Sequence, residues 1–198
     1  CLMKVGLFFG SFNPLHNGHL ILAEGVINAS DLAHIWFVLT PQNPHKKQEY
    51  MLADHERLNM LRDALYENVR FRASDIEFQL SPPYYTSRTL AHLKELHPEH
   101  EFSLILGEDN LRGLGSWHNY EYILRHYRLL VYPRSSQMNE KEGKLPVIPE
   151  ARIERLDHLC VLPLSSSYIR TLLQQKKSIK YLVPESVEQT LQARGFYQ

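Results

Sequence analysis

Cysteine is scarce in this chain, and its scarcity argues against a cysteine-ligated metal site and against a disulfide scaffold. The 198 residues contain two cysteines, Cys1 and Cys160, which lie far apart and match no metal-ligand spacing. A small secreted domain held together by disulfides needs more of them. The composition therefore predicts a protein of a reducing compartment, and we expect a cytoplasmic location.

Excess charge and long apolar runs are also lacking. Twenty-two basic and twenty-two acidic residues give a formal net charge of zero, so no broad basic field indicates a nucleic acid partner. No apolar run approaches the length of a membrane span, and no basic leader with an apolar stretch behind it indicates secretion. We therefore expect no nucleic acid partner and no membrane association.

Short apolar runs alternate with helical patterns along the chain. Strand candidates are residues 5–9, 35–39, 69–73, 76–78, 102–106, 128–132, 147–148 and 158–162, and helix candidates are residues 20–29, 51–66, 86–96, 120–126, 167–174 and 184–193. This alternation predicts an α/β fold: a single-domain, Rossmann-like, doubly wound parallel sheet with helices on both faces.

No linker or repeat divides the sequence, so we expect residues 1–198 to form one domain. We interpret residues 1–3 as an extension in front of the first strand, and residues 165–198 as a C-terminal helical segment packed on the sheet. In open α/β sheets, ligands bind beyond the carboxyl ends of the strands. The segments that follow predicted strands are therefore the places to look for chemistry.

The first such segment, residues 10–19, reads Gly-Ser-Phe-Asn-Pro-Leu-His-Asn-Gly-His. A turn from a strand into a helix aims backbone N–H groups and the positive end of a helix dipole at one spot, which suits a polyphosphate. Two histidines, His16 and His19, lie at that spot. No further cysteine or histidine cluster offers the remaining ligands of a metal site, so we expect the pair to face phosphates and to hold no metal.

A second motif, Leu-Ser-Ser-Ser-Tyr-Ile-Arg at residues 164–170, follows the last predicted strand. The hydroxyl of Ser165 or Ser166 is suited to cap the helix that begins there. Capping does not explain Arg170, a cation one turn into that helix, where the dipole disfavours it. An arginine that faces an anion explains this position better.

Both motifs resemble the signatures of the nucleotidyltransferases of the class I synthetase-like superfamily. Three further segments are similar to those of one family within it, the bacterial nicotinate-mononucleotide adenylyltransferases: Asn-Pro-His-Lys at 43–46, Pro-Tyr-Tyr-Thr at 83–86, and Gly-Glu-Asp-Asn-Leu at 107–111 with Ser-Trp at 116–117. The resemblance runs from about residue 4 to the C-terminal helix. Asn43, Glu108 and His118 depart from the family's usual residues.

The resemblance implies that the 5′-phosphate of nicotinate mononucleotide attacks the α-phosphorus of ATP and that pyrophosphate leaves. It implies ATP and nicotinate mononucleotide as partners and Mg²⁺ carried with the ATP phosphates. A homo-oligomer is compatible with it. The catalytic residues that it implies are His16, His19 and Arg170. The ATP-binding residues are Gly10, Ser11, Phe12, His16, Gly18, His19, Asp109, Ser166 and Arg170, and the substrate-binding residues are His45, Lys46, Tyr85, Thr86, Trp117, His118 and Arg134.

Alternatives remain open for single residues and for the whole chain. Asp109 and Thr86 are also suited to cap helices, and Trp117 to pack in the core. An adenylyltransferase that prefers nicotinamide mononucleotide or phosphopantetheine has the same two motifs. A non-catalytic ATP-binding module is a rival of another class, and so is an RNA-linked synthetase fragment, although the chain is short for one.

Overall fold

The computed structural model describes residues 2–41, 51–133 and 148–197, and a parallel sheet lies at its centre. The six strands are β1 (Met3–Gly10), β2 (His34–Leu39), β3 (Phe71–Ser74), β4 (His100–Gly107), β5 (Arg128–Tyr132) and β6 (Arg152–Arg155). They are ordered β3-β2-β1-β4-β5-β6, and every neighbouring pair is parallel. The strand order reverses between β1 and β4, which is where such sheets open a crevice for ligands.

Helices cover both faces of this sheet, as the sequence predicted. They are α1 (Asn17–Ala29), α2 (Asp54–Leu65), α3 (Thr86–Leu96), α4 (Glu108–Gly113), α5 (Tyr120–His126), α6 (Ser166–Gln174) and α7 (Glu185–Arg194). Side chains alternate across a strand, so Leu7 packs towards α3, α4 and α5, while its neighbour Phe8 packs towards α1 and α2. The predicted doubly wound fold is confirmed.

Two of the predicted strands are wrong. Residues 76–78 lie in a short 3₁₀ helix, Ile76–Gln79, because the Ser74 hydroxyl accepts a hydrogen bond from the Ile76 N–H at 3.4 Å and turns the chain out of the sheet. Residues 158–162 form turns and irregular chain instead of the last strand. The last strand of the described chain is β6. The apolar run that follows it in the sequence packs Leu159 and Val161 onto the core beside α1.

The ends of the described chain also differ from expectation. Met3 is already part of β1, where it lies opposite His100, so the first strand takes in part of the expected extension. Ile148 lies in no strand, and Val147 lies outside the described residues. None of the helices in the described ranges is long and apolar enough to cross a membrane.

The C-terminal helices form a third apolar cluster of their own. Ile169 and Leu173 of α6 and Val187 and Leu191 of α7 pack together with Met60 of α2. The contacts of this cluster run to α2, and the packing of residues 165–198 on the sheet stays a prediction. The packing within the cluster brings the start of α6 towards the turn that follows β1.

Candidate active site

The candidate site lies at the carboxyl end of β1, where α1 begins. His16 is the N-cap of α1, and its backbone N–H donates a hydrogen bond to Nδ1 of His19 at 3.2 Å. The two imidazole rings stack with centroids 3.6 Å apart. Because a backbone N–H can only donate, Nδ1 of His19 must be the acceptor, and the proton of a neutral His19 therefore resides on Nε2.

Burial keeps both imidazoles neutral at physiological pH. His16 is 5% exposed, and burial lowers its pKa from 6.5 to about 4. Burial also lowers the pKa of His19 well below its ordinary value, and the neighbouring charge that His16 would carry lowers it further. The rings of Phe8 and Phe12 pack edge-on against His19. The pair is thus suited to donate hydrogen bonds rather than to supply positive charge.

Small residues make room for these rings. A Cβ at Gly18 would lie 2.9 Å from Nδ1 of His16, and a Cβ at Gly10 would lie 2.9 Å from the tip of the Phe12 ring. Phe12 has a positive φ of 42° and is 2% exposed, so its side chain belongs to the core and only its backbone can face a ligand. Gly10 and Gly18 therefore permit the turn that presents the histidines.

The second motif meets the first at this turn. Ser165 caps α6 by accepting a hydrogen bond from the Tyr168 N–H at 3.2 Å, which confirms the predicted cap for Ser165. The Ser166 hydroxyl donates to the Pro14 carbonyl at 2.9 Å. Since that hydroxyl is occupied, a ligand at Ser166 would meet the N–H groups that begin the helix.

Arg170 joins the same contact. Its guanidinium donates to the Asn13 carbonyl at 2.8 Å and to the Ser167 hydroxyl at 3.1 Å. Arg170 is therefore half-buried against the first turn of the site and does not simply extend into solvent. The Arg170 bond to Asn13 joins residues 157 positions apart in the sequence, and the Ser166 bond to Pro14 joins residues 152 positions apart. These bonds hold the two motifs together.

A cavity of about 320 Å³ opens between the two motifs. It is lined by Phe8, His16, Gly18, His19, Leu22, Tyr132, Val161, Leu162, Leu164, Ser165 and Ser166. Its walls are mainly apolar, with the histidine pair and the serine-rich start of α6 as the polar groups. Sequence reasoning missed Tyr132, although its position at the end of β5 was the available signal.

A second group of predicted residues lies together at the start of α3. Tyr85 is the N-cap of this helix and Thr86 its first residue, so Thr86 is not the cap. The rings of Tyr85 and His118 stack with centroids 4.2 Å apart, and Nδ1 of His118 lies 3.4 Å from the Ser87 hydroxyl. Trp117, one residue before His118, is half-buried and packs against the apolar cluster that Leu7 forms with α3, α4 and α5. The fold thus places the stacked rings of Tyr85 and His118 beside the N–H groups that begin α3.

The remaining predicted residues are distributed differently. Asp109 lies in the first turn of α4, whose N-cap is Gly107, so Asp109 does not cap it. Burial raises the pKa of Tyr132, which lines the cavity, and the negative charge of Asp109 raises it further. His45, Lys46 and Arg134 lie outside the described residues.

Arg57 is a buried residue of the site that sequence reasoning missed. It is 0% exposed, and its guanidinium donates to the carbonyls of Ser11 and Thr40 and to the carboxylate of Asp54. It therefore ties the turn after β1 to the end of β2. The available signal was its phase on α2, because Arg57 lies four residues before Leu61 on the buried face of the helix.

Comparison with known proteins identifies the family. The model of the cytidylyltransferase-like family matches residues 7–172. A protein of Cytophaga hutchinsonii named "Probable nicotinate-nucleotide adenylyltransferase" is 45% identical over 195 residues, which cover 98% of both chains. A protein of the same name from Flavobacterium johnsoniae is 43% identical over 196 residues, covering 99% of this chain and 100% of its own. The chain belongs to the nicotinate-nucleotide adenylyltransferase family.

Solved structures of this family share the fold. Plasmodium falciparum nicotinic acid mononucleotide adenylyltransferase complexed with NaAD matches with a TM-score of 0.73 at 21% identity, covering 98% of this chain and 97% of its own. The same protein complexed with APC matches with a TM-score of 0.74 at 20% identity over the same shares. At this identity the likeness concerns the fold, and the nicotinate-nucleotide adenylyltransferase fold is the one described above.

Proposed function

We propose that this protein transfers the adenylyl group of ATP to nicotinate mononucleotide in NAD biosynthesis, giving nicotinate adenine dinucleotide and pyrophosphate. The observation that carries the proposal is the contact of the two motifs: the His16–His19 pair faces one cavity with the start of α6. Family membership and the names of the close relatives support the same reaction.

The chemistry needs no general base. The 5′-phosphate of the mononucleotide is an anion at neutral pH and attacks the α-phosphorus of ATP directly. A new P–O bond forms between the α-phosphorus and the attacking oxygen of the 5′-phosphate. The bond from the α-phosphorus to the oxygen that bridges it to the β-phosphorus breaks, and its electron pair leaves with pyrophosphate. Catalysis then consists of positioning and of stabilising the charge that develops on the leaving group.

The histidines are suited to that stabilisation. We assign Nε2–H of His19 to donate to a phosphate oxygen, because Nδ1 is occupied by the His16 N–H. A preorganised neutral donor in a dry site gains strength as negative charge builds on its acceptor. We assign His16 to a second phosphate oxygen. Its pKa of about 4 keeps it uncharged at neutral pH.

The other assigned ATP contacts surround these rings. Backbone N–H groups at Gly10–Phe12 and at Ser166 are suited to phosphate oxygens, and Arg170 to the β- and γ-phosphates through its planar fork. For that contact Arg170 would exchange or share its bond to Asn13. Asp109, near Tyr132, is suited to accept from a ribose hydroxyl.

The start of α3 is the proposed site of the nicotinate ring. Its first N–H groups and the Thr86 hydroxyl are suited to the carboxylate that distinguishes nicotinate from nicotinamide. Tyr85, Trp117 and His118 offer flat faces to the pyridine ring. His45, Lys46 and Arg134 remain proposed contacts of the substrate phosphates.

Mg²⁺ is the proposed accompanying cation. The polar side chains on the cavity wall are imidazoles and hydroxyls, which are partners for phosphate oxygens rather than the carboxylate ligands that a hard cation prefers. Mg²⁺ keeps several waters and is usually held through substrate phosphates. We therefore assign the cation to the ATP phosphates, where it neutralises charge. We also propose a cytoplasmic location.

The test is a pyrophosphate-release assay with ATP and one of three acceptors: nicotinate mononucleotide, nicotinamide mononucleotide or phosphopantetheine. We expect the highest kcat/KM with the nicotinate compound, because the amide leaves the donors at the start of α3 unpaired. Thr86→Val should lower the ratio of kcat/KM for nicotinate mononucleotide to kcat/KM for nicotinamide mononucleotide, because it removes a donor to the carboxylate. The control Thr190→Val, on α7, should leave that ratio unchanged.

Each other outcome overturns a stated part. Equal or better turnover of the amide contradicts the acid preference, and turnover of phosphopantetheine alone contradicts the assigned reaction. ATP binding without turnover of any acceptor supports the non-catalytic module instead.

A further inference from the structure

Residues 97–100, which lead from the end of α3 into the first residue of β4, form a turn with a histidine at each end. The His100 N–H donates to the His97 carbonyl at 3.0 Å, which closes the turn. Pro98 stands at its second position, where proline presets the backbone. Lys94 of α3 donates to the carbonyls of Pro98 and His100 at 3.0 and 3.1 Å. The backbone that carries the two imidazoles and Glu99 is therefore fixed on both sides.

The three side chains of this turn converge. Oε1 of Glu99 lies 3.7 Å from Nδ1 of His97 and 3.4 Å from Nε2 of His100. Their ligand atoms all lie within 4.8 Å of one another. Both rings pack edge-on against the buried indole of Trp36, with interplanar angles of 84° and 83°, so the core holds the imidazoles side by side.

These separations approach those of a metal site. Ligand atoms about 2.1 Å from a tetrahedral ion lie about 3.4 Å from one another. The contact of Glu99 with His100 already has that length, and the contact with His97 exceeds it by a few tenths of an ångström. Glu99 is 52% exposed and His97 31% exposed, so both side chains can adjust.

We propose that His97, Glu99 and His100 bind a divalent cation of the zinc class, with water in the remaining coordination position. Two imidazoles and one carboxylate are ligands that Zn²⁺ accepts. Within the described ranges, this is the group of histidine, cysteine, aspartate and glutamate side chains close enough together to hold a metal ion. The bound ion would tie the end of α3 to the start of β4.

The proposed site is independent of adenylyl transfer. His100 begins β4 and lies opposite Met3, at the amino ends of the parallel strands. The His16–His19 pair and the cavity beside it lie at the carboxyl ends of the strands. Zinc binding can therefore be tested without ATP or Mg²⁺, and its failure leaves the proposed function untouched.

The experiment is a calorimetric titration of the full chain with ZnCl₂, with melting curves at each metal concentration. Cys1 and Cys160 are replaced by serine in every sample, since thiols bind zinc themselves. The variants are His97→Ala and Glu99→Gln. The matched control is His92→Ala, which removes a histidine of α3 that lies outside the turn.

We expect one Zn²⁺ per chain and a higher Tm with zinc for the parent and for His92→Ala. Loss of an outer-shell partner costs a metal site about 10- to 100-fold in affinity, and loss of a ligand should cost no less in His97→Ala and Glu99→Gln. Both variants replace partly exposed side chains, so they should fold. Absence of zinc binding by the parent overturns the proposal, and so does binding that survives both variants or is lost equally in His92→Ala.

Discussion

Acidification should destabilise this protein through the buried His16. Burial lowers its pKa from 6.5 to about 4 in the folded state. Between these values the unfolded chain binds a proton at His16 and the folded chain does not. The stabilisation from His16 is therefore fully present above pH 6.5 and is lost as the pH falls towards 4.

The size of the effect follows from the two pKa values. A pKa lowered from 6.5 to about 4 corresponds to about 3 kcal/mol in the free energy of unfolding. About 2 kcal/mol of this is lost between pH 7.5 and pH 5. With an m-value of about 2 kcal/mol/M, the urea midpoint should fall by about 1 M over that range from this histidine alone.

The assay is urea unfolding at several pH values for the parent, His16→Asn and the control His126→Asn, which removes an exposed histidine of α5. Only the slope with pH matters, so the loss of packing in His16→Asn does not confuse the result. The parent and His126→Asn should fall together, and His16→Asn should fall less steeply by the amount above. Parallel curves for the parent and His16→Asn would refute the link between burial and the neutral imidazole.

The other predictions concern single side chains of the site. His19→Ala should lower kcat by about 10²- to 10³-fold and ATP affinity much less, because the donor acts on charge that grows in the transition state; unchanged kcat at saturating ATP would contradict that role. Arg170→Ala should lose most of the ATP-induced rise in Tm, should cost the free protein about 1 kcal/mol through its bond to Asn13, and should be partly rescued by lysine; a full ATP shift would make it purely structural. Arg57→Met should lower the free energy of unfolding by about 2 kcal/mol or more, because it removes a fully buried guanidinium that donates to the carbonyls of Ser11 and Thr40 and pairs with Asp54. Arg62→Met, on the exposed face of α2, should change it by less than about 0.5 kcal/mol in denaturant titrations.

The alternation of strands and helices was readable from the sequence because it is a local pattern. Apolar runs such as residues 102–106 cannot be solvent-exposed, and the helical spacing at residues 86–96 has one buried face. The same logic failed at residues 158–162, because an apolar run can cover the core without joining the sheet. Apolar pattern reports burial, and hydrogen-bond pairing decides whether the buried segment is a strand.

The site divides in the same way. The sequence by itself determined which candidate donors the chain offers, since His16, His19, Ser166 and Arg170 are defined by residue type and by position relative to a strand or a helix start. Only the tertiary structure decided their physical state. Burial lowers the pKa of both histidines, and Arg170 is anchored because the packing of α6 brings its guanidinium to the Asn13 carbonyl in the turn after β1. Desolvation and contacts across more than a hundred residues depend on distances in space, which the linear order of residues does not contain.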